Sequence, residues 1–470
     1  MSDATRLNPN ARDKYRLPIY TLRLPGIRMY VINSASLLTT VQRQSKTVSF
    51  EPIKVKAAVT LSGSSKTAND IVQSYEYGGE GSGGYATALH RTLQAQLSPA
   101  SDALHEMNRA AVDNIAAFVD KAQSRRGQTF ALFEWIKHEV AITTTNSVYG
   151  PENPFKDPRV EESYWQFEPG IMYMLLGLPM LAKDSIKGRE TIVEAFQRYY
   201  NKEGHTKGAG ITRARYEFNA KNQIPPADIA RFELGGNFAI LTNIVPTAFW
   251  IVYHLYSDPE LLEICRNEVS SVTTDSINAS GRRVRTVDIS TLQASCPTLM
   301  STFQEVLRFR TVGTSVRLVM KDHVLEGSYL LKKNSLVMIP GPVQHSDKTI
   351  WGLNAGEFDY KRFLKPSRRA QTVAFRAFGG GASLCPGRHF AANVVLTFAA
   401  MLIMRYDIVP LGGTWKQATT KNAGGWEVTT KPDDDIDVQM DFRKDEDPDQ
   451  IWAYSFSADC KAIHLTVEDS

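Results

Sequence analysis

A single cysteine that follows a run of glycines carries the strongest chemical signal in this chain. Residues 378–388 read FGGGASLCPGR, and an apolar, helix-like stretch follows from His389 to Met404. Unpaired backbone N–H groups at a helix start favour the thiolate form of a nearby cysteine. The glycines allow the backbone to turn tightly and to approach a flat partner closely. A lone cysteine is more often a buried hydrophobe, but this setting favours a thiolate ligand for haem iron.

The spacing of Phe378, Gly381, Cys385 and Gly387 resembles the haem-binding loop of the cytochrome P450 family. The resemblance implies that Cys385 is the axial ligand of the iron in haem (iron protoporphyrin IX) and that the other three residues shape the cofactor loop. The family usually places Arg or His two residues before the cysteine, where it holds a haem propionate, whereas this chain has Ser383. The sterol 7α-hydroxylase and prostacyclin synthase-like branches also lack that basic residue, so they resemble this chain most.

A second motif lies upstream of the cysteine. Glu305 and Arg308 are three residues apart and share one face of a helix. Alone they would predict a surface ion pair, which contributes about 0–1 kcal/mol. Their order relative to Cys385 resembles the family's E-x-x-R helix, and Arg362 in the segment FDYKRF matches its third partner. The resemblance implies a buried ionic network near the haem.

A long helix is predicted between Pro225-Pro226 and Asp258-Pro259, because prolines suit both boundaries. No charged residue occurs from Leu234 to Tyr253, which by hydropathy alone suggests a membrane span. Polar residues and Pro246 interrupt that stretch, so a buried central helix explains it better. Its sequence TNIVPTAFW resembles the distal helix of the same two branches.

The catalytic residues of this helix are predicted to be Thr242 and Asn243. Most monooxygenases of the family carry an acid followed by Thr here, a pair that delivers protons to dioxygen through water. This chain has Asn243 and Ile244 instead, and the Thr242 hydroxyl comes one position early, about 100° around the helix. Asn243 either orders a water or satisfies the carbonyl that Pro246 leaves free.

Three basic residues resemble the family's propionate ligands. Arg317 matches a strand residue that binds one haem propionate, and His90 and Arg91 resemble helical residues that contact the other. Each has the alternative of being an ordinary surface residue. The apolar segments Val312 to Val316 and Phe238 to Thr242 are expected to line the distal pocket, which indicates a lipophilic substrate.

The bulk properties agree with one globular chain. It has 470 residues, a formal net charge of +4 and four cysteines without metal-type spacing. No nucleic-acid partner is indicated. Gly79–Gly84 formally matches a dinucleotide motif but lacks the flanking βαβ pattern, and a flexible loop over the site mouth is expected instead. No linker is evident, so residues 1–470 are predicted to form a single domain.

The predicted fold class is mainly α with smaller β-sheets, the cytochrome P450-like fold, with haem between the long central helix and the cysteine loop. Strands are expected at residues 19–24 and 29–32, around residues 317–340 and at residues 436–442, and helices dominate residues 86–309. The polar segment Met1 to Arg16 departs from the membrane helix of eukaryotic members. Either a truncated chain or membrane contact through surface loops is expected, on the cytoplasmic face of the endoplasmic reticulum as the resemblance implies.

The predicted function is that of a haem-thiolate monooxygenase. It would hydroxylate a sterol, a fatty acid or a secondary-metabolite intermediate with O2 and electrons from NADPH, which an NADPH-dependent flavoprotein reductase delivers near Arg388. The alternative is an isomerase that rearranges a lipid hydroperoxide or endoperoxide without external electrons, and Ile244 favours it.

Overall fold

The computed structural model describes residues 12, 14–15, 17–74, 84–424, 427–444, 450–456 and 465–466. Most of the segment 79–84 and of the polar N-terminus lies outside them. Buried apolar side chains form one large cluster from Val55 to Leu465 and a smaller one from Tyr30 to Ile339. The mainly helical body with small sheets confirms the predicted fold class. The single-domain organisation stays a prediction.

Helices make up most of the described chain. They are α1 (Ala35–Arg43), α2 (Glu51–Ser62), α3 (Lys66–Ser74), α4 (Tyr85–Gln96), α5 (Asp102–Ala122), α6 (Leu132–Tyr149), α7 (Pro158–Phe167), α8 (Ile171–Leu175), α9 (Lys183–Asn201), α10 (Gly210–Lys221), α11 (Pro226–Ser257), α12 (Pro259–Ser271), α13 (Leu292–Ser295), α14 (Pro297–Arg310), α15 (Gly341–His345), α16 (Lys348–Trp351), α17 (Arg369–Ala374) and α18 (Arg388–Arg405).

The strands of the described chain form small sheets. They are β1 (Ile19–Leu24), β2 (Ile27–Ile32), β3 (Val48–Ser49), β4 (Thr129–Ala131), β5 (Thr273–Ile277), β6 (Arg283–Asp288), β7 (Thr314–Val319), β8 (His323–Leu325), β9 (Tyr329–Leu331), β10 (Leu336–Pro340), β11 (Tyr406–Pro410), β12 (Asp437–Phe442) and β13 (Ile451–Ser455). The largest sheet has the order β1-β2-β10-β7-β3, and the others are β11-β12-β4, β13-β6-β5 and β8-β9.

The predicted strands are confirmed in type and position. The β1–β2 hairpin turns at Gly26, whose φ of +73° suits glycine. Strand β12 alternates buried and exposed residues, as its sequence predicts. Helices dominate residues 86–309 as predicted, but β4 and the β5–β6 hairpin at residues 273–288 also lie within that stretch. Strand β13 pairs with β6 in parallel, a long-range contact that local patterns do not encode.

The central helix α11 brings the parts of the site together. It has Pro226 in its first turn and continues through Pro246 to Ser257. It is long and apolar enough to cross a membrane, but 78% of its most apolar window is buried, as expected for a core helix. It packs against α6, α9 and α18. Because α18 begins three residues after Cys385, the chain leads directly from the cysteine loop into a helix that packs on the central one.

Candidate active site

The loop that carries Cys385 is closed by backbone hydrogen bonds. The Cys385 N–H donates to the Phe378 carbonyl oxygen over 2.9 Å, and the Leu384 N–H donates to the Gly381 carbonyl oxygen over 3.0 Å. Gly379 and Gly381 have φ values of +77° and +58°, which residues with a Cβ atom rarely adopt. Phe378 and Gly381 therefore lie where the motif predicts a tight turn around the cysteine.

Close packing restricts the same loop. A Cβ atom at Gly380 would overlap the Arg376 guanidinium and lie 2.5 Å from the side-chain amide of Gln42, on α1. At Gly387 the situation is the opposite, because no other part of the described chain comes within 4 Å of the Cβ position. The loop is thus packed tightly on α1 and open two residues after the cysteine.

Burial has the largest effect on the pKa of the Cys385 thiol. It raises the pKa of the thiol, while the Gly387 N–H and the charge of Arg388 lower it. The local groups expected at a helix start are therefore present, and burial opposes them because a thiolate inside the protein loses hydration. A metal ion at the sulfur would supply the positive charge that favours the thiolate.

Arg317 is a buried cation without an acidic partner in the described chain. It lies in β7 with 1% of its surface exposed, and burial lowers its pKa. Its Nη2 donates to Oγ of Ser383 over 2.9 Å, and its Nε has no hydrogen-bond partner. Because an unpaired buried charge is costly, this position is suited to an anionic ligand.

His90 and Arg91 lie on α4 in different environments. His90 is half-buried, its Nε2 has no partner among the described residues, and burial, followed by the charge of Lys54, lowers its pKa. Arg91 is exposed. Adjacent helical residues point about 100° apart, and a joint role of these two side chains at one haem propionate stays a prediction.

The Thr242 side chain is bonded to a neighbouring helix. Thr242 and Tyr164 of α7 are both fully buried, and their hydroxyl oxygens lie 2.8 Å apart. Either hydroxyl can donate. This contact directs Thr242 towards α7, so its catalytic role stays a prediction for a hydroxyl that already has a partner.

The Asn243 side chain makes no hydrogen bond within the described part of the chain, and its Oδ1 is buried. Its backbone carbonyl accepts from the Thr247 hydroxyl over 2.7 Å. Pro246 has no N–H for the Thr242 carbonyl, but the Asn243 amide is not bonded to that carbonyl. The structure therefore does not support the alternative in which Asn243 only satisfies a freed carbonyl, and the amide is available for a ligand or water.

One strip of α11 keeps accessible surface although the helix is mostly buried. Gly235 and Ala239 are exposed and Asn243 is half-buried, and their spacing of four residues puts them on one face. Residues 312–316 are also partly accessible or exposed. The two segments expected to line the distal pocket thus both present free surface.

Several residues near these segments were missed from the sequence. The Val428 carbonyl accepts from the Val312 N–H over 2.7 Å, which places a C-terminal segment beside the expected pocket. Glu168, with 1% of its surface exposed, pairs with Lys431, and its Oε1 has no hydrogen-bond partner. Burial raises the pKa of Glu168, and Lys431 lowers it. The partners in each pair are more than 100 residues apart in the chain, so no local signal reveals them.

The predicted ionic network around Glu305 is confirmed. Nε and Nη2 of Arg308 donate to the two Glu305 oxygens, each over 2.7 Å. Nε of Arg362 donates to the same oxygens over 3.0 and 3.1 Å. The remaining N–H groups of Arg308 donate to the backbone carbonyls of His345, Ala355 and Glu357. Those of Arg362 donate to the backbone carbonyls of Trp351, Asn354 and Glu357 and to Oδ1 of Asn354.

The donor set fits haem. A cysteine sulfur can ligate the haem iron. The buried Arg317, whose Nε has no partner in the described chain, can bind a carboxylate of the haem. The open space at Gly387 and the unpartnered Asn243 amide fit a flat ligand between α11 and the cysteine loop. No feature of these residues conflicts with such a group.

Comparison with known proteins tests this assignment. A family model described as Cytochrome P450 matches residues 238–434, which include Asn243, Glu305 and Cys385. The chain is 34% identical over 462 residues to the cytochrome P450 monooxygenase nodJ of Hypoxylon pulicicidum, covering 92% of this chain and 87% of that protein. It is 25% identical to a cytochrome P450 monooxygenase of Gibberella zeae, over 86% of this chain and 77% of that protein.

A more distant relative bears on the predicted branch. Cholesterol 7-alpha-monooxygenase of Cricetulus griseus is 22% identical over 65% of this chain and 66% of its own length. The expected resemblance to sterol 7α-hydroxylases is therefore confirmed at modest identity. Because the match to nodJ extends along nearly the whole chain and the family match includes the cysteine loop, this chain belongs to the cytochrome P450 family of haem-containing oxidoreductases.

Proposed function

We propose that this protein is a haem-thiolate monooxygenase that hydroxylates a lipophilic substrate with O2, using electrons that NADPH supplies through a flavoprotein reductase. The observation that carries the proposal is the Cys385 loop, bonded through Ser383 to a buried arginine that lacks an acidic partner in the described chain. The names of the relatives support the monooxygenase class. Substrate and electron supply are inferences from the site.

Bound haem would supply the oxidising chemistry, and the protein residues supply its ligand, orientation and protons. Cys385 would hold the haem iron through its sulfur, and Phe378, Gly381 and Gly387 would shape the loop around it. Arg317 is assigned to a haem propionate. His90 and Arg91 stay predictions for the other propionate, which the unpartnered Nε2 of His90 supports more than the exposed Arg91 does.

Proton delivery is assigned to the central helix. The unpartnered Asn243 amide is placed to hold and orient a water on the distal side. The Thr242 hydroxyl is already bonded to Tyr164, and its own proton is free for that water only when Tyr164 is the donor. We therefore assign the water-holding role to Asn243 and an auxiliary role to Thr242.

The substrate class follows from the side chains along the expected pocket. Ala239, Val312 and Val316 all have accessible surface, and an apolar lining with few polar groups is typical of a site for a lipophilic molecule. A sterol, a fatty acid or a secondary-metabolite intermediate meets this description.

A carbon monoxide difference spectrum tests the ligand and the electron source together. The parent protein is reduced either with dithionite or with NADPH and a flavoprotein reductase. Cys385→Ala is expected to lose the red-shifted thiolate–carbonyl band, and Cys265→Ala, which changes a buried free cysteine elsewhere, is expected to keep it. A band that persists in Cys385→Ala would refute the ligand assignment.

The second candidate is an isomerase that rearranges a lipid hydroperoxide or endoperoxide without external electrons. Ile244 favours it, because the usual Thr of the proton relay is replaced by a buried aliphatic residue. A band that forms with dithionite but not with NADPH and reductase, even with substrate present, would favour this candidate. Turnover of a lipid hydroperoxide without NADPH would establish it.

Reductase docking is proposed near Arg388, which follows the cysteine loop and is partly exposed. Its Nη1 donates to the Cys385 carbonyl over 3.1 Å, so a partner at this position would lie close to the axial ligand. Arg388→Gln is expected to slow reduction by NADPH and reductase and to leave reduction by dithionite unchanged. Equal effects on both would argue against docking here.

Peripheral membrane contact on the cytoplasmic face of the endoplasmic reticulum is proposed through an apolar segment. Tyr173, Leu176, Met180 and Leu181 are exposed by 44%, 63%, 69% and 60% within a few residues of one another, and a patch of this kind marks an interaction surface. Leu176→Ser/Met180→Ser is expected to weaken sedimentation with phosphatidylcholine–phosphatidylinositol vesicles. Leu353→Ser, at an isolated side chain exposed by 89%, is the control and is expected to have no effect.

A further inference from the structure

We infer that Ser383 is a positioning residue whose hydroxyl orients Arg317. The buried guanidinium of Arg317 would then bind a haem carboxylate alone, at a place where most of the family has a second basic residue two positions before the cysteine. The inference rests on the proposed haem-thiolate function and goes beyond it. It assigns a role to a residue that departs from the family motif.

The hydrogen bonds of Ser383 define what its hydroxyl can do. Its Oγ accepts from Nη2 of Arg317 over 2.9 Å and donates to the Gly380 carbonyl oxygen over 3.0 Å. A serine hydroxyl has a single proton, and here that proton is directed at a backbone carbonyl. Ser383 therefore offers no donor to a carboxylate and acts on one only through Arg317.

The backbone of Arg317 is held in a β-sheet, but not all of its guanidinium N–H groups have an acceptor in the described chain. Its strand β7 lies between β10 and β3, and Arg317 is paired with Val337. The bond to Ser383 uses one N–H of a guanidinium that has five. With 1% of its surface exposed and Nε unpartnered in the described chain, it requires an acceptor group, and a carboxylate matches its planar fork.

The contact also connects Arg317 to the thiolate. Ser383 ends the short turn Gly381–Ser383 and lies two residues before Cys385. The bond therefore joins β7 to the cysteine loop across 66 residues of chain. A group held by both Arg317 and Cys385 would have its carboxylate and its metal placed relative to each other by this bond.

Haem release to excess apomyoglobin measures this role without measuring activity. Ser383→Ala is expected to release haem about tenfold faster than the parent, since a hydrogen bond to a charged group is lost. Ser383→Thr retains a hydroxyl and is expected to stay within about twofold of the parent. Ser185→Ala removes a hydroxyl that donates to the Gln166 carbonyl elsewhere, and it is the control for loss of a serine–backbone bond.

A double-mutant cycle separates positioning from a general structural role. Arg317→Gln is expected to accelerate haem release at least about tenfold. Adding Ser383→Ala to Arg317→Gln is expected to change the rate by less than about twofold, because the hydroxyl has no cation left to orient. If the Ser383→Ala protein does not fold in measurable amounts, Ser383→Cys is measured instead. The cysteine side chain has a similar shape and is only a weak acceptor.

Each result has one consequence. A full effect of Ser383→Ala in the Arg317→Gln background, or a parent-like rate for Ser383→Ala alone, would overturn the positioning role and leave the proposed function intact. An Arg317→Gln protein that keeps haem as the parent does would overturn both the carboxylate assignment and the positioning role. A parent without the thiolate–carbonyl band would refute the proposed function itself, and this inference with it.

Discussion

Replacing Glu305 with glutamine should severely destabilise the protein. Glu305 is completely buried and accepts from Arg308, from Arg362 and from the Asp359 N–H over 3.0 Å. Glutamine has nearly the same shape, but it removes the negative charge and turns an NH2 group towards guanidinium donors. Two buried cations would then lack their shared counter-ion.

The magnitude follows from burial. Removing one member of a buried ion pair costs about 3–5 kcal/mol, because the remaining charge stays in a poorly hydrated interior. Lys66 and Asp70 form a comparable helical pair at 3.3 Å, with side chains exposed by 92% and 63%. Exposed pairs of this kind contribute about 0–1 kcal/mol, so Asp70→Asn is the matched control.

Urea denaturation provides the assay, followed by tryptophan fluorescence and by the haem absorbance at equal haem occupancy. The shift in midpoint multiplied by the common slope gives the change in the free energy of unfolding. Glu305→Gln is expected to lose at least about 3 kcal/mol, and Asp70→Asn less than about 1 kcal/mol. A Glu305→Gln midpoint as close to the parent as that of Asp70→Asn would refute the reasoning that burial makes this network strong.

Three further changes have defined outcomes. Gly380→Ala adds a methyl group where the Arg376 guanidinium and the Gln42 amide pack, and because both side-chain ends can shift, it should cost only about 1 kcal/mol, with lower haem content. Burial raises the pKa of Glu168, and Lys431 opposes this effect. Because the folded protein binds the Glu168 proton more tightly than the unfolded chain does, stability falls as pH rises above the ordinary pKa of a carboxyl group. Lys431→Met should steepen the fall of the urea midpoint as pH rises above the ordinary pKa of a carboxyl group, because the charge that opposes the raised pKa of Glu168 is lost. Tyr164→Phe should cost about 1 kcal/mol through the lost Thr242 hydrogen bond.

Each of these has its own control. Gly356→Ala is expected to be within about 0.5 kcal/mol of the parent, because a Cβ atom there meets no described atom within 4 Å. Glu168→Gln in the Lys431→Met background should remove the added pH dependence, and a slope that persists would contradict the role of Glu168. Tyr164→Phe and Thr242→Ala should be strongly non-additive, and additive free energies would show that their hydroxyls do not interact.

Much of the fold could be predicted because its signals are local. The β1–β2 hairpin, the alternating strand β12 and the proline-bounded helix α11 follow from short-range periodicity and turn residues. The β5–β6 hairpin was missed because its pairing with the distant strand β13 is not written in either segment alone.

The sequence by itself determined the chemistry that the site can perform: a cysteine in a glycine loop, an E-x-x-R helix with its arginine partner, and an apolar helix carrying Asn243. These are questions of residue type and short spacing. Only the tertiary structure decided that Thr242 is bonded to Tyr164, that Ser383 holds Arg317, and that burial raises the pKa of Cys385. The hydrogen-bond partners of these side chains and the hydration that they keep depend on segments far apart in the chain, so neither is fixed until the chain has folded.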